Sequence, residues 1–376
     1  MSGVVRSIST FRQAFDDMGH NVFIFAQKAA KYQDDEPFIF RYPAVEVPWA
    51  NAYAFPVPFS SSIDDTIPCL KLDVIHSHHP FLLGETAARK ADTLRLPLVF
   101  TFHTRYDEYT HYVPFSQGLT KQIAERWIGN YLEKCQHIIT PSDSIKELLI
   151  DNGIEGDITT IPTGIVLKPF READGESVRK SQGWGSDTVL ISVGRLAKEK
   201  SFDTLLEAAA IVMRDHPNLR LAIIGGGLEE RSLKKIAQEL GIANRVDFVG
   251  SVPYEEVPNY LKAADIFCFA STTETQGLVT MEAMAAGLPI VAVDATGTHD
   301  AVTDGKEGLL TENNSAALAE AINQVVDNQE LREQLISGGA ARLESFDIDN
   351  QAKRMLDVYD QAIAAKQANR YITVRD

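Results

Sequence analysis

Cysteine is scarce in this chain of 376 residues, and the three present, Cys69, Cys135 and Cys268, stand far apart with no CxxC pairing. That spacing gives no basis for a disulfide scaffold and points to a reducing compartment. Positive charge is also in short supply: 36 Lys and Arg against 52 Asp and Glu leave a formal net charge of -16. Extended nucleic-acid surfaces and strongly basic membrane anchors both need Lys and Arg set against phosphates, so this balance argues against them and favours neutral or small acceptors. No uninterrupted apolar run approaches the ~18 residues of a membrane-crossing helix, and Met1–Ser9 has an early Arg6 and no apolar signal core. The expectation is a cytoplasmic protein, soluble or peripheral on the inner face of a membrane. A compact Asp and His cluster suited to a diphosphate-bound magnesium ion is lacking too, and no residue stands out as a covalent nucleophile. Neither a metal nor a cofactor is expected.

What is present is apolar content, at 44% of residues, enough for more than one core. In the first half, Val22–Ala26, Val74–His76, Leu98–Phe102 and His137–Thr140 are short apolar runs bounded by polar or turn residues, the pattern of buried parallel strands. Between them, Leu82–Leu94 and Leu119–Cys135 repeat apolar residues at helical spacing, giving a strand, helix, strand order. Phe38–Phe59 departs from this: Pro43, Pro48, Pro56 and Pro58 lie among Phe, Tyr and Trp49. The segment either packs down or meets something apolar. At the amino end a helix is expected through Val4–Met18 with no strand before it, only Gly3 remaining of a glycine loop. A doubly wound domain usually opens on a central strand, so an apolar stretch is expected upstream of Met1.

After His137–Thr140 and a helix at Asp143–Asn152, the polar stretch READGESVRKSQGWGS shows no apolar period and reads as a linker. The expected divisions are a Rossmann-like domain over residues 1–170, a linker over 171–187, a second such domain over 188–346, and a C-terminal helical segment over 347–376 packing back across the domain junction. Within the second domain, strands at Val189–Val193, Leu219–Ile224, Val246–Val249, Ile266–Cys268 and Ile290–Ala292 alternate with helices at Phe202–Met213, Glu229–Leu240, Val257–Ala263, Leu278–Ala286 and Ala316–Val326. This α/β pattern over Val189–Val326 makes another doubly wound sheet.

The chemistry gathers after those strands. Gly194 and Arg195 follow the first, and Lys200 precedes the next helix. A planar donor fork and a compact charge at one mouth suit a diphosphate, although a solvated charge cluster would use the same residues. Gly225–Gly227 follows Leu219–Ile224; it is not the GxGxxG fingerprint, and either a tight turn or close ligand approach explains it. Thr272–Pro289 carries Glu274 in a loop and Glu282 inside the following helix, with the amides of Gly277, Leu278 and Val279 at the helix start. Two carboxylates so placed can meet the hydroxyls of two parts of one extended ligand, while the amides can take phosphate oxygens. Helix capping is the plainer alternative.

GRLAKEK, IGGG, a glutamate pair separated by seven residues, and DVIHSHHP together resemble the retaining glycosyltransferases of family four, with the GT-B fold of two Rossmann-like domains facing a cleft. The resemblance spans nearly the whole chain. It implies that Arg195 and Lys200 hold the donor diphosphate, that Gly3, Gly194 and Gly226 lie along the donor, that Glu274 contacts the transferred sugar and that Glu282 binds the ribose. It also implies that His78 reaches the donor sugar, whereas His76 is read as pointing the opposite way along the strand and packed. Thr101–Tyr112 and Thr273–Leu278 are most similar to the branch that glucosylates diacylglycerol. His103 and Tyr109 would line the acceptor side, and Phe38–Phe59 would suit a lipid-facing edge. The commoner form of the second motif has Gly and Phe where this chain has Thr275 and Gln276, so a sugar contact is open there. UDP-glucose as donor and a lipid hydroxyl as acceptor follow from the resemblance; a soluble or phosphatidylinositol acceptor, a nucleotide-sugar epimerase and a non-catalytic sugar-nucleotide binder are the other readings.

Overall fold

The computed structural model describes residues 3–28, 34, 36–46, 54–103 and 126–375. They divide into two compact units, Ser2–Pro162 with Asp349–Asp376, and Thr163–Ile348.

In the first unit, helix Gly3–Asp17 buries Phe11, Ala14 and Phe15, one stripe at helical spacing. Strand β1 (Ile24–Gln27) pairs in parallel with β2 (Ile39–Tyr42), and β3 (Ala44–Glu46) pairs antiparallel with β4 (Ala54–Pro56). Strands β5 (Ile75–Ser77), β6 (Leu98–Thr101) and β7 (His137–Thr140) join in parallel; after β8 (Ile154–Glu155), β9 (Ile158–Thr160) completes a four-stranded sheet in the order β5-β6-β7-β9. All residues of β6 and β7 are buried, which is why these strands read as unbroken apolar runs rather than alternating ones. Phe100, Tyr131, Leu132, Ile138 and Ile145 form the core beside them. Strands β1 and β5 lie in different sheets, with no ladder between them among the described residues.

The second unit is built on six parallel strands: β10 (Thr188–Val193), β11 (Leu219–Ile224), β12 (Val246–Gly250), β13 (Ile266–Phe269), β14 (Ile290–Val293) and β15 (Gly308–Thr311). Their spatial order is β12-β11-β10-β13-β14-β15. That is the doubly wound order in which the chain reverses direction beside its first strand, and β10 accordingly pairs with both β11 and β13. Side chains of β10 alternate between faces: Leu190 joins the core with Leu205, Leu206 and Ile223, while Val189 and Ile191 join the one with Phe267 and Met281.

Residues 171–187, expected as a linker, are instead part of this unit. Helix Gly175–Gln182 is capped by Asp174, whose carboxylate accepts from Ser177 N at 3.0 Å, and Trp184 is 1% exposed and donates to Asp247 at 2.8 Å. The helix and the residues just after it bury only Val178 and Trp184 as large apolar side chains, the rest of the anchoring being polar through Arg179 to Ala263 O and Asp265, so no apolar period registers. The chain passes between units at Pro162–Thr163 and again at Ile348–Asp349. Helix Ile348–Gln367 and Thr373–Val374, which pairs with β8, return to the first unit. Among the described residues no helix is long and apolar enough to cross a membrane.

Candidate active site

Two loops of the second unit leave the carboxyl ends of β10 and β13, the pair of strands that flank the reversal, where open α/β sheets hold ligands. After β10, Gly194 N donates to Ile224 O at 2.9 Å, and Arg195 leans on Glu199 with Nη2 2.5 Å from Oε1. The Glu199 side chain is only 6% exposed against 45% for Arg195, so a buried carboxylate aims a half-exposed guanidinium. A tight turn at Lys198–Lys200 then delivers Lys200, and Ser201 takes φ 48° to start helix Phe202–Val212.

The triple glycine serves this loop. Gly225 has φ 138°, and a Cβ there would collide with Gly194 O; a Cβ on Gly227 would collide with Leu196 O. Leu196 N in turn donates to Gly226 O at 3.0 Å. Gly225 and Gly227 therefore let the two loops lie backbone to backbone, and the next helix begins only at Glu230.

After β13, buried Ser271 opens the second loop. Its Oγ donates to Glu274 Oε1 at 2.9 Å, and the same oxygen pairs with Lys200 Nζ, which lies 3.4 Å from Ser271 Oγ. Gly277 adopts φ 71° and turns the chain into helix Leu278–Ala285, whose first amides, from Gly277, Leu278 and Val279, precede its first internal hydrogen bonds. Glu282 is 4% exposed, and Tyr254 OH donates to its Oε1 at 3.5 Å. The two carboxylates thus occupy separate surroundings, Glu274 with the cation of the first loop and Glu282 against a phenol. Gln276, open as a sugar contact from sequence, is buried with its amide bonded to the backbone of Thr163.

The histidines belong to the first unit. His76 lies in β5 and His78 just past its end, with rings 4.2 Å apart, so the two share a side and the expectation that His76 points the opposite way is corrected. His76 is held by Tyr359 OH at 2.8 Å and Thr101 Oγ1 at 2.7 Å. His78 Nδ1 lies 2.8 Å from His103 Nε2, one ring donating and the other accepting, so at least one of the two is neutral. Burial, and then the neighbouring His103 charge, push the His76 pKa down to about 3, and burial pushes His78 and His103 well below 6.5. Gly3 opens the first helix of this unit, and Tyr109 and Trp49 lie outside the described residues.

Two α/β units, the second wound about a reversal flanked by paired cations and carboxylates, define a GT-B glycosyltransferase. Sucrose-phosphate synthase from Thermosynechococcus elongatus shares the fold with a TM-score of 0.81 at 23% identity, over 97% of this chain and 94% of that one. Anabaena Alr3699/HepE, solved in complex with UDP-glucose, shares it at 0.76 and 19% identity, over 96% of each chain. The Glycosyltransferase Family 4 model matches residues 1–168 and the model of glycosyl transferases group 1 matches residues 174–342. The alpha-monoglucosyldiacylglycerol synthase of Acholeplasma laidlawii is 34% identical over 337 residues, 86% of this chain and 84% of that protein. The chain belongs to glycosyltransferase family 4.

Sequence reasoning missed Glu199, Ser271, Tyr254 and Tyr359. Glu199 was readable, since it stands four residues from Arg195 on a tight turn, where such pairs meet. Tyr359 and Thr101 reach His76 from elements distant in sequence, and no local pattern marks them.

Proposed function

We propose that the protein is a retaining glucosyltransferase that moves glucose from UDP-glucose to a hydroxyl of 1,2-diacylglycerol at the inner face of a membrane. The observation that carries this reading is the placement of Arg195, Lys200 and Glu274 on the loops after β10 and β13, with Lys200 and Glu274 paired, and of Glu282 in the helix that follows the second loop. Similarity to a monoglucosyldiacylglycerol synthase supports the lipid acceptor and the glucose, and the UDP-glucose complex of a protein with the same fold supports the donor.

In this reading Arg195 and Lys200 bind the diphosphate, and the first amides of helix Leu278–Ala285 take phosphate oxygens. Glu282 accepts the ribose hydroxyls and Glu274 a hydroxyl of the glucose. The bond from the anomeric carbon to the phosphate oxygen breaks while the bond to the acceptor oxygen forms on the same face. The acceptor proton passes to the departing phosphate oxygen, so no protein nucleophile is needed. Negative charge on that oxygen is greatest in the transition state, where two fixed cations lower the barrier most. The family resemblance alone assigns His78 to the donor sugar and His103 to the acceptor. A screen of UDP-sugars against diacylglycerol, phosphatidylinositol and soluble acceptors, read by mass spectrometry, tests the reading. Transfer only to a soluble acceptor, or epimerised donor without transfer, would overturn it.

A further inference from the structure

Gln276 makes two opposed hydrogen bonds to one residue: its Nε2 donates to Thr163 O, and its Oε1 accepts from Thr163 N, both at 2.9 Å. Gln276 is 6% exposed and Thr163 is 3% exposed, so water does not share these groups. A carboxamide presents one donor and one acceptor in a plane and pairs with a peptide as a neighbouring strand would; a carboxylate or an apolar side chain of the same size meets at most one of the two needs.

Both ends of this contact are anchored. On the Thr163 side, Ile165 N donates to Phe346 O at 2.9 Å, and Gly164 is so close to Ile348 that a Cβ would lie 2.5 Å from Ile348 Cα. On the other side of the loop, Gly297 N donates to Glu274 O at 2.9 Å. A Cβ on Gly297 would collide with Gln276 N and come within 2.5 Å of Thr275 C. The backbone of residues 274–276 is therefore gripped between Gly297 and Thr163, and Glu274 projects from the gripped segment toward Lys200 and Ser271.

We propose that Gln276 is a positioning residue, clamping the loop that carries Glu274 so that this carboxylate is held in register with the donor sugar. The role rests on the donor reading above. Because a misplacement of about 1 Å can cost on the order of a hundredfold in rate, loss of the clamp falls on turnover. Binding of UDP depends mainly on the side chains of Arg195, Lys200 and Glu282, which lie outside the gripped segment, with the amides after Gln276 held also by their own helix, so it is affected less than turnover.

The test compares wild type with Gln276→Met, which keeps the volume without either hydrogen bond, and Gln276→Glu, which keeps only the acceptor. UDP-glucose turnover, UDP titration by calorimetry, thermal melting, and amide hydrogen exchange of residues 272–279 in the free protein are measured on each. The expected result is kcat lowered about tenfold or more in both variants, UDP affinity within about threefold of wild type, and faster loop exchange. Unchanged exchange, or faster exchange with kcat within about twofold of wild type, overturns the clamp. If wild type turns over no UDP-glucose, the donor reading fails, and exchange still decides the clamp: faster in Gln276→Met supports it, unchanged overturns it.

Discussion

Lys200 and Glu274 form an ion pair across the reversal of the six-stranded sheet, one residue on the loop after β10 and the other on the loop after β13. Their side chains are 16% and 17% exposed, so the pair is not of the loose surface kind that contributes little. On the proposed function, a bound diphosphate draws Lys200 toward phosphate and leaves Glu274 to accept a sugar hydroxyl. The pair keeps both groups compensated until the donor arrives.

Substitution of the two carboxylates should therefore separate. Glu274→Ala removes the partner that competes for Lys200, so free UDP binds at least as tightly as to wild type while transfer falls by about a hundredfold. Glu282→Ala weakens UDP about tenfold, the scale of one lost charge-assisted hydrogen bond of 1.4 kcal/mol or more. Calorimetry with UDP and turnover on the same preparations check this, and equal UDP affinity in both variants would contradict the division.

Arg195→Ala and Lys200→Ala should each lower kcat by about a hundredfold, roughly 3 kcal/mol of transition-state stabilisation, a larger loss than either shows in fold stability. Glu199→Gln should reproduce part of the Arg195 loss, because the buried carboxylate aims the guanidinium. Steady-state kinetics beside thermal melting distinguish this from a general loss of fold.

The histidine cluster should make the first unit sensitive to acid. With a pKa of about 3 when folded against 6.5 when free, His76 contributes stability that is fully present above about pH 6.5 and is lost as pH falls toward 3. The slope approaches about 1.4 kcal/mol per pH unit below pH 6.5. Melting between pH 7.5 and 5.5 should show a larger loss in wild type than in His76→Gln, which carries no such group. Equal losses would mean that the proton goes elsewhere.

Legibility tracked where each element's information lies. Strands β10 to β14 and the helices between them were readable because each is a short apolar run followed by a periodic one, and Arg195, Lys200, Glu274 and Glu282 fall at the ends of those runs. Strand β15, GLLT, was missed: its residues are only partly buried beyond Gly308, so the run is weak. Helix Gly175–Gln182 was taken for linker because its fold is carried by two inward residues and a cap. The meaning of Gln276 was hidden, since its partner Thr163 is 113 positions away. The shared side of His76 and His78 was hidden because β5 ends between them, and only the ring contact shows it.

Exposed apolar groups near the expected lipid-facing segment motivate a membrane test. Val45 is 57% and Phe59 is 64% exposed. With no large positive excess in the chain, attachment should rest on such groups and be weak. Flotation with anionic vesicles should recover wild type, and Phe59→Ser should reduce recovery several-fold; equal recovery of both would place attachment elsewhere.

The most direct measurement is a reaction of the purified protein with UDP-glucose and 1,2-diacylglycerol in mixed micelles, the product analysed by mass spectrometry and its anomeric proton by NMR. The account expects a monoglucosyldiacylglycerol with the α linkage of the donor retained, its formation lowered about a hundredfold together with UDP release by Lys200→Ala. A β-linked product, or no lipid product while a soluble acceptor is glycosylated, would contradict it.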